Sequence, residues 1–507
     1  MELIIALHKL KKTIHLKRND LNFSSKINDF EDLLNDSSEL TDSEACLKLY
    51  NKKNITSTYK SLKYRIEEKL INDILQIVSN EDNLKNRVNA TLVVEKYSLV
   101  SYALMKNFHR KEAIYLMEKA LKLAIKYSYT DQILKLLAGI VNHYSYVEPN
   151  DKKMNKLLDD LDYYTEVYSA ENYVKKCNAI ISNLYVMNKG GLNGQQLARI
   201  KTMVDKMLFI KEKYKSNTII LFVNDLTYFY YQSVGDHQKS LEVAKQALIE
   251  IMQLKNDEKI GTYQNKLNIA ISLFYLKNYD EASFWFKDAI AMLTPGTRNW
   301  FFATSLYYLN LISIRSYNDL FKLSTEVLNN KNLVKFPYFE EQWKIREAYL
   351  HFLIRVGKIN IDKEDKKVLK PFSLSKFMNS LPFHSKDKSG QNITIIVLQI
   401  LFLLTDHKYG QIIDRIDALN QYTYRYLRKD ETFRSNCFIK MLVLMTKADF
   451  HPIRTNTYTE DLRKKLENSS LITDEKSTQV EIIPYDYLWN LILELLASKK
   501  NNVVHEY

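Results

Sequence analysis

Three ten-residue strings of this chain align with one another, and the alignment limits the fold more than any other feature. Residues 112–121 read EAIYLMEKAL, 239–248 read KSLEVAKQAL and 281–290 read EASFWFKDAI. Each carries a small residue, a second position four residues on, and an alanine three beyond that. The triples are Ala113, Met117 and Ala120; Ser240, Ala244 and Ala247; and Ala282, Phe286 and Ala289. Positions i, i+4 and i+7 share one stripe of a helix, where small residues let another helix approach and a larger one fills the gap. An apolar stretch and a short turn precede each string, at 97–106 before Asn107, 226–234 before Gly235 and 267–277 before Asn278. The implied unit is helix, turn, helix.

Spacing extends the pattern. Ser240 and Ala282 are 42 residues apart, Ala113 and Ser240 are 127 apart, close to three such steps, and Ala198 falls one step before Ser240. Looser candidates for the same scheme lie at 300–314, 317–328 and 339–356, and the repeat decays toward residue 360. Composition agrees with helices. Only 10 glycines and 7 prolines occur in 507 residues, so the chain lacks the positive-φ residues that tight β-hairpin turns require.

The stretch 266–295 resembles a tetratricopeptide repeat. Ala282, Phe286 and Ala289 match that family's second-helix pattern, Tyr279-Asp280-Glu281 matches the turn entering it, and Pro295 falls one residue late. Lys266 stands where tryptophan is common and Ala270 where glycine is common. A step of 42 against the family's usual 34 adds about one turn to each helix at roughly 3.6 residues per turn. The resemblance implies an all-α fold, an α-solenoid of antiparallel helical hairpins with N- and C-terminal helical extensions. It also implies a non-enzymatic scaffold that binds a peptide or protein segment in a concave groove lined by the first helix of each hairpin. Lining positions would include Ser98 and Tyr102, Asp225 and Phe229, and Leu267 and Ile271. Family members that clamp a terminal carboxylate use lysine and asparagine there, a set missing from this chain.

Around the array, expected at 81–357, the chain divides into an N-terminal helical region (1–80), a polar, basic linker (358–391) and a C-terminal helical block with a capping helix (392–507). Thr41 and Glu44 form a capping-box pattern ahead of a helix. Leu62, Ile66, Leu70 and Ile74 recur at steps of four, along one helix face. Pro484 opens a final helix in which Leu488, Ile492, Leu495 and Leu496 share a side. The apolar run 393–404 is about a dozen residues, against about 20 needed to cross a bilayer, and reads as a buried helix.

Motifs for catalysis are missing. The sequence has no phosphate-cradling glycine loop, Gly-x-Ser-x-Gly elbow or His-Glu-x-x-His helix, and the expectation is no catalytic residue, metal or cofactor. Gly190, Gly191 and Gly194 read as a helix-to-helix turn, Asp159, Asp160 and Asp162 as a solvated face, and His8 with His15 as surface histidines. Cys46, Cys177 and Cys437 lie far apart, a set that suits a reducing compartment, and the cytoplasm is the expected address. A formal charge of +13 leaves nucleic-acid binding as the alternative reading, with the hydroxyls and lysines of residues 56–65 as its contact; an enzyme whose site leaves no local motif is the third. Residues 225–231 put aromatics on every side of one helix, the strongest surface clue.

Overall fold

The computed structural model describes residues 1, 4, 5, 7, 8, 25–36, 40–52, 54–78, 87–188, 191–254, 259–362, 369, 371–380, 391–416, 433–468 and 481–503. Among these the regular structure is helical throughout, with no strand. The chain forms two compact units, divided at Asn172 and Tyr173, with Leu254 belonging to the first. That division falls inside the stretch read as the repeat array.

In the first unit, α1 (Ser25–Asp36), α2 (Asp42–Tyr50) and α3 (Ser57–Val78) enclose one apolar cluster around Phe30, Cys46, Tyr59 and Leu62. Helices α4 (Arg87–Lys106), α5 (Arg110–Tyr127) and α6 (Thr130–Tyr146) enclose a second, and α7 (Asp151–Met187) begins here. The Thr41 hydroxyl accepts from the Glu44 N–H while the Glu44 carboxylate accepts from the Thr41 N–H at 2.9 Å, so the capping box forms as expected and satisfies two orphan donors. Leu62, Ile66 and Leu70 are fully buried on one side of α3; the side chain of Ile74 lies outside the described residues.

The second unit takes the rest of α7, then α8 (Gly194–Lys213), α9 (Asn217–Ser233), α10 (His237–Gln253), α11 (Lys259–Tyr275), α12 (Tyr279–Ala291), α13 (Arg298–Ser313), α14 (Tyr317–Leu328) and α15 (Pro337–Arg355). After these come α16 (Leu374–Ser380), α17 (Gln391–Thr405), α18 (Phe433–Lys447), α19 (Pro452–Asn468) and α20 (Tyr485–Val503). From α8 to α15 each helix packs on the next, and α9, α11, α13 and α15 also touch in succession. One apolar cluster runs from Leu241 to Leu496.

All nine residues of the three aligned triples are buried, none more than 5 % exposed. Close approach is visible at Gly261, where an added Cβ would come within 2.9 Å of Leu221 and 3.1 Å of Ile251. The small residues therefore serve as interhelix contacts, the use expected of them.

One turn geometry recurs where the chain leaves α4, α9, α11, α13, α15, α17 and α18. In each, a residue with positive φ is followed by an N–H that bonds the carbonyl five residues back: His109 to Leu104, Asp236 to Tyr231, Asn278 to Leu273, Ser316 to Leu311, Lys358 to Leu353, Lys408 to Leu403 and Phe450 to Met445, all at 2.9–3.1 Å. This is the bond that caps a helix C-terminus in a left-handed turn. Glycine occupies the left-handed position only at Gly235 and Gly357; Phe108, Lys277, Arg315 and His407 adopt φ of 55° to 65°. Left-handed positions lie 42 residues apart at 235 and 277, and again at 315 and 357. The turn thus continues past residue 360, where the side-chain pattern fades.

Part of the stretch read as a linker is packed. Phe372 stacks on His351 at 4.8 Å and on Phe402 at 5.0 Å, and α16 lies against α15. The lysine-rich composition concealed these apolar anchors, which with the buried Phe377 outweigh the polar residues around them. The apolar run 393–404 forms α17, its residues 397, 398 and 400–404 buried. No helix among the described residues is long and apolar enough to cross a membrane.

The C-terminal helices are tied by a buried ion pair. Arg434 on α18 donates two bonds to the Glu481 carboxylate (2.9 and 2.7 Å), one to the Leu466 carbonyl (2.7 Å) and one to Asp486 (3.1 Å). Glu481 also accepts the Tyr485 N–H at 2.7 Å, so one guanidinium joins the start of α18, the end of α19 and the start of α20. Leu488, Ile492 and Leu496 are buried together on α20, with Leu495 partly buried, as their spacing predicts.

Candidate functional site

The helix with aromatics on every side is α9, and its neighbours decide which of them remain available. Gln232, Tyr228 and Asp225 lie along one face, at steps of four and three. Near the turn this face is fastened to α10 and α11: the Gln232 amide donates to Ser240 Oγ at 2.8 Å and Ser272 Oγ at 3.0 Å, and the Tyr228 hydroxyl donates to the Asn268 carbonyl at 3.2 Å. On another side, Asn224 accepts from Lys211 at 2.7 Å and donates to Glu250 at 2.9 Å, fixing α9 between α8 and α10. These bonds set the rotation of the helix.

Farther from the turn the same face opens. Asp225 is exposed, and Tyr185, Phe229 and Tyr263 are half-buried. Phe229, one turn along α9, meets Tyr185 of α7 edge-on, with centroids 5.2 Å apart at 83°. Tyr263 of α11 lies close enough for the Asp225 charge to raise its phenol pKa further, after burial, and its hydroxyl accepts from Asn299 of α13 at 2.7 Å. The remaining two rings of the run are covered by the chain's own lysines, Lys201 over Tyr230 at 5.9 Å and Lys239 over Tyr231 at 5.6 Å.

Asp225 can be reached by water, yet it sits among enough protein to lose much of its hydration. This desolvation pushes its pKa from the usual 3.8 up to about 6. No cation or hydrogen-bond donor among the described residues offsets the loss. The folded chain therefore holds the Asp225 proton more tightly than the unfolded chain does, and this group's contribution to stability falls as pH rises from about 4 to about 6. Asp225→Asn should remove that slope. Its melting temperature should exceed the wild-type value by a margin that grows from pH 4 to pH 6 and then levels off; a margin independent of pH would contradict the desolvation account.

The other expected lining positions divide. Tyr102 is 58 % exposed and Ile271 half-buried, whereas Leu267 (2 %) and Ser98 (6 %) present almost no surface. The expectation for these last two is corrected by the packing: α9, α11 and α13 touch in succession, which encloses Leu267 in the main apolar cluster, and Ser98 faces the interior beside Ser101, whose hydroxyl bonds the Ser98 carbonyl at 2.8 Å. Sequence alone could have found Tyr263, which falls on α11, two helices on from α9. It lacked the information that Leu267 was closed off and the wider end of the helix was not.

Other candidates are taken up structurally. Thr56 caps α3 by accepting the Tyr59 N–H at 3.2 Å, and Lys63 is paired with Asp42 at 2.8 Å, which commits two groups of the proposed phosphate contact. Asn193 and Gln196 form a capping box at α8, giving the turn before Gly194 a structural use. His8 is buried and bonded to Asn35 at 3.1 Å; His15 lies outside the described residues. No group of three His, Cys, Asp or Glu side chains able to hold a metal occurs among the described residues. A separate concavity of about 260 Å3 is lined by Lys277, Arg315, Arg434 and Asp486, of which Arg434 and Asp486 are paired with each other at 3.1 Å and Arg315 lies over the Tyr487 ring.

The chain matches no family model, and no curated protein sequence is significantly similar to it.

Proposed function

We propose that this chain is a non-enzymatic scaffold or adaptor, built as an α-solenoid of tetratricopeptide-like hairpins, that binds a peptide or protein segment on the open side of its first helices. The observation that carries this reading is the notch beside Asp225, an exposed carboxylate of α9 with Phe229 half-buried one turn along and edge-on to Tyr185 of α7. Aromatic side chains with one open side supply large contact area at small entropic cost, the composition of binding hot spots. The succession of contacts among α9, α11, α13 and α15 supports the solenoid, and three unpaired, buried cysteines suit the cytoplasm. The notch does not suit nucleic acid, because its carboxylate would repel phosphate.

Affinity capture from the native cell, repeated with Phe229→Ala and with Tyr102→Ala, tests the reading. The expected result is loss of one or more captured proteins with Phe229→Ala at unchanged melting temperature. Recovery of the same proteins by wild type and both variants would remove the notch and the Tyr102 surface from consideration.

A further inference from the structure

The concavity of about 260 Å3 lies within the second unit, where the turns that leave α11 and α13 meet the start of α18, the end of α19 and the start of α20. Its charged walls are Lys277, Arg315, Arg434, Glu467 and Asp486. Both acids have partners: Asp486 takes Arg434 at 3.1 Å, and Glu467 takes Arg463 at 4.0 Å. Arg434 is committed as well to Glu481, at 2.7 Å. No carboxylate among the described residues pairs with Lys277 or Arg315, and both residues are exposed. The charge left over in the cavity is therefore positive, and it comes from two neighbouring turns.

The places these two cations occupy are unusual. After α9, α11, α13 and α15 the left-handed turn position is filled by Gly235, Lys277, Arg315 and Gly357, with φ of 75°, 61°, 58° and 73°. Glycine adopts this backbone freely, whereas a residue with a Cβ is strained there. The two middle turns carry a strain that the outer two avoid, and each gains by it a cationic side chain lining one cavity. The Arg315 guanidinium lies over the Tyr487 ring at 4.3 Å, a contact that restrains the group without using up its N–H donors.

We propose that this cavity binds the phosphate group of a small phosphorylated molecule, with Arg315 and Lys277 as its cationic partners. Two unmatched positive charges are neutralised by one dianion, whereas a carboxylate would leave one of them over. A guanidinium offers a fork of N–H donors that fits two oxygens of a phosphate, and an ammonium serves a third as a point charge. The volume sets the size of the rest. At about 260 Å3 the cavity falls just below the roughly 300–1,000 Å3 of sites for drug-sized ligands, which admits a phosphate with a short organic body. A second anionic group would meet Glu467 and Asp486, so that body is neutral or carries hydrogen-bond donors.

Calorimetric titration of the full chain at fixed ionic strength, with inorganic phosphate, glycerol 3-phosphate and acetate as probes, tests the proposal. The two phosphates should bind wild type with Kd below about 1 mM, and acetate at least about tenfold more weakly. Lys277→Gly should weaken phosphate binding at least about tenfold, the size of one charge-assisted bond. The same variant should melt no lower than wild type, because glycine suits the left-handed turn. Arg315→Gln should weaken phosphate binding by a similar factor. General attraction of anions to a basic chain does not mimic these losses, since each variant lowers the net charge only from +13 to +12. Unchanged phosphate affinity in either variant, acetate bound as tightly as phosphate, or no wild-type binding at about 1 mM overturns the proposal. Tighter binding of a phosphoserine tripeptide than of glycerol 3-phosphate also overturns it, by assigning the phosphate to a partner's side chain.

Discussion

Arg434→Leu is expected to lower the unfolding free energy of the C-terminal helices by about 3–5 kcal/mol, because it leaves the Glu481 carboxylate buried without its partner. Both side chains of the pair are 7 % exposed, and the guanidinium makes four hydrogen bonds that no aliphatic residue replaces. Urea unfolding followed by tryptophan fluorescence reads the change, since Trp489 packs against Phe438 in the same region at 6.0 Å. The double variant Arg434→Met, Glu481→Leu provides the contrast. Removing both charges together also removes their desolvation cost, so the double variant should recover most of the loss. A single variant as stable as wild type, or a double variant no better than the single, would show that the pair is not the clamp described.

Phe286→Ala should cost about 3–5 kcal/mol, the range for deleting a fully enclosed aromatic ring. Phe286 is 1 % exposed between Ala282 and Ala289, and meets Tyr307 of the next helix with ring centroids 5.8 Å apart. Two residues earlier on α12, Phe284 is 64 % exposed, and Phe284→Ala should stay within about 0.5 kcal/mol of wild type. The pair isolates position from chemistry, since the same residue type is removed from opposite sides of one helix. Equal costs in urea unfolding would contradict the seam that the aligned strings define.

Much of this architecture could be read before any coordinates, because it depends on small residues at helical spacing, and those are local. Ala113, Ala244 and Ala282 identify their helices without knowledge of what they touch. The turns were a different matter. Lys277, Arg315 and His407 hold the left-handed position usually given to glycine, and nothing in their chemistry announces it. Neighbouring helices impose that backbone, at about 1–2 kcal/mol for each non-glycine residue, so the repeat persisted in the turns while vanishing from the side chains. The candidate site divided along the same line. Asp225 and Phe229, named from the expected repeat, are exposed and half-buried, but the enclosure of Leu267 depends on how closely α9, α11 and α13 approach, a property of three segments at once. Phe372 was overlooked because a basic, proline-bearing stretch conceals one ring whose partners, His351 and Phe402, lie about 20 to 30 residues away on either side.

The three cysteines gain an unplanned use from where they are buried. Cys46 lies among α1, α2 and α3, Cys177 on α7 and Cys437 on α18, and burial holds the Cys177 and Cys437 thiols above their ordinary pKa. A thiol reagent can reach each sulfur only when its own surroundings come apart. The protein therefore carries three native reporters of partial opening, and the order in which they are modified ranks the resilience of three regions without adding a label.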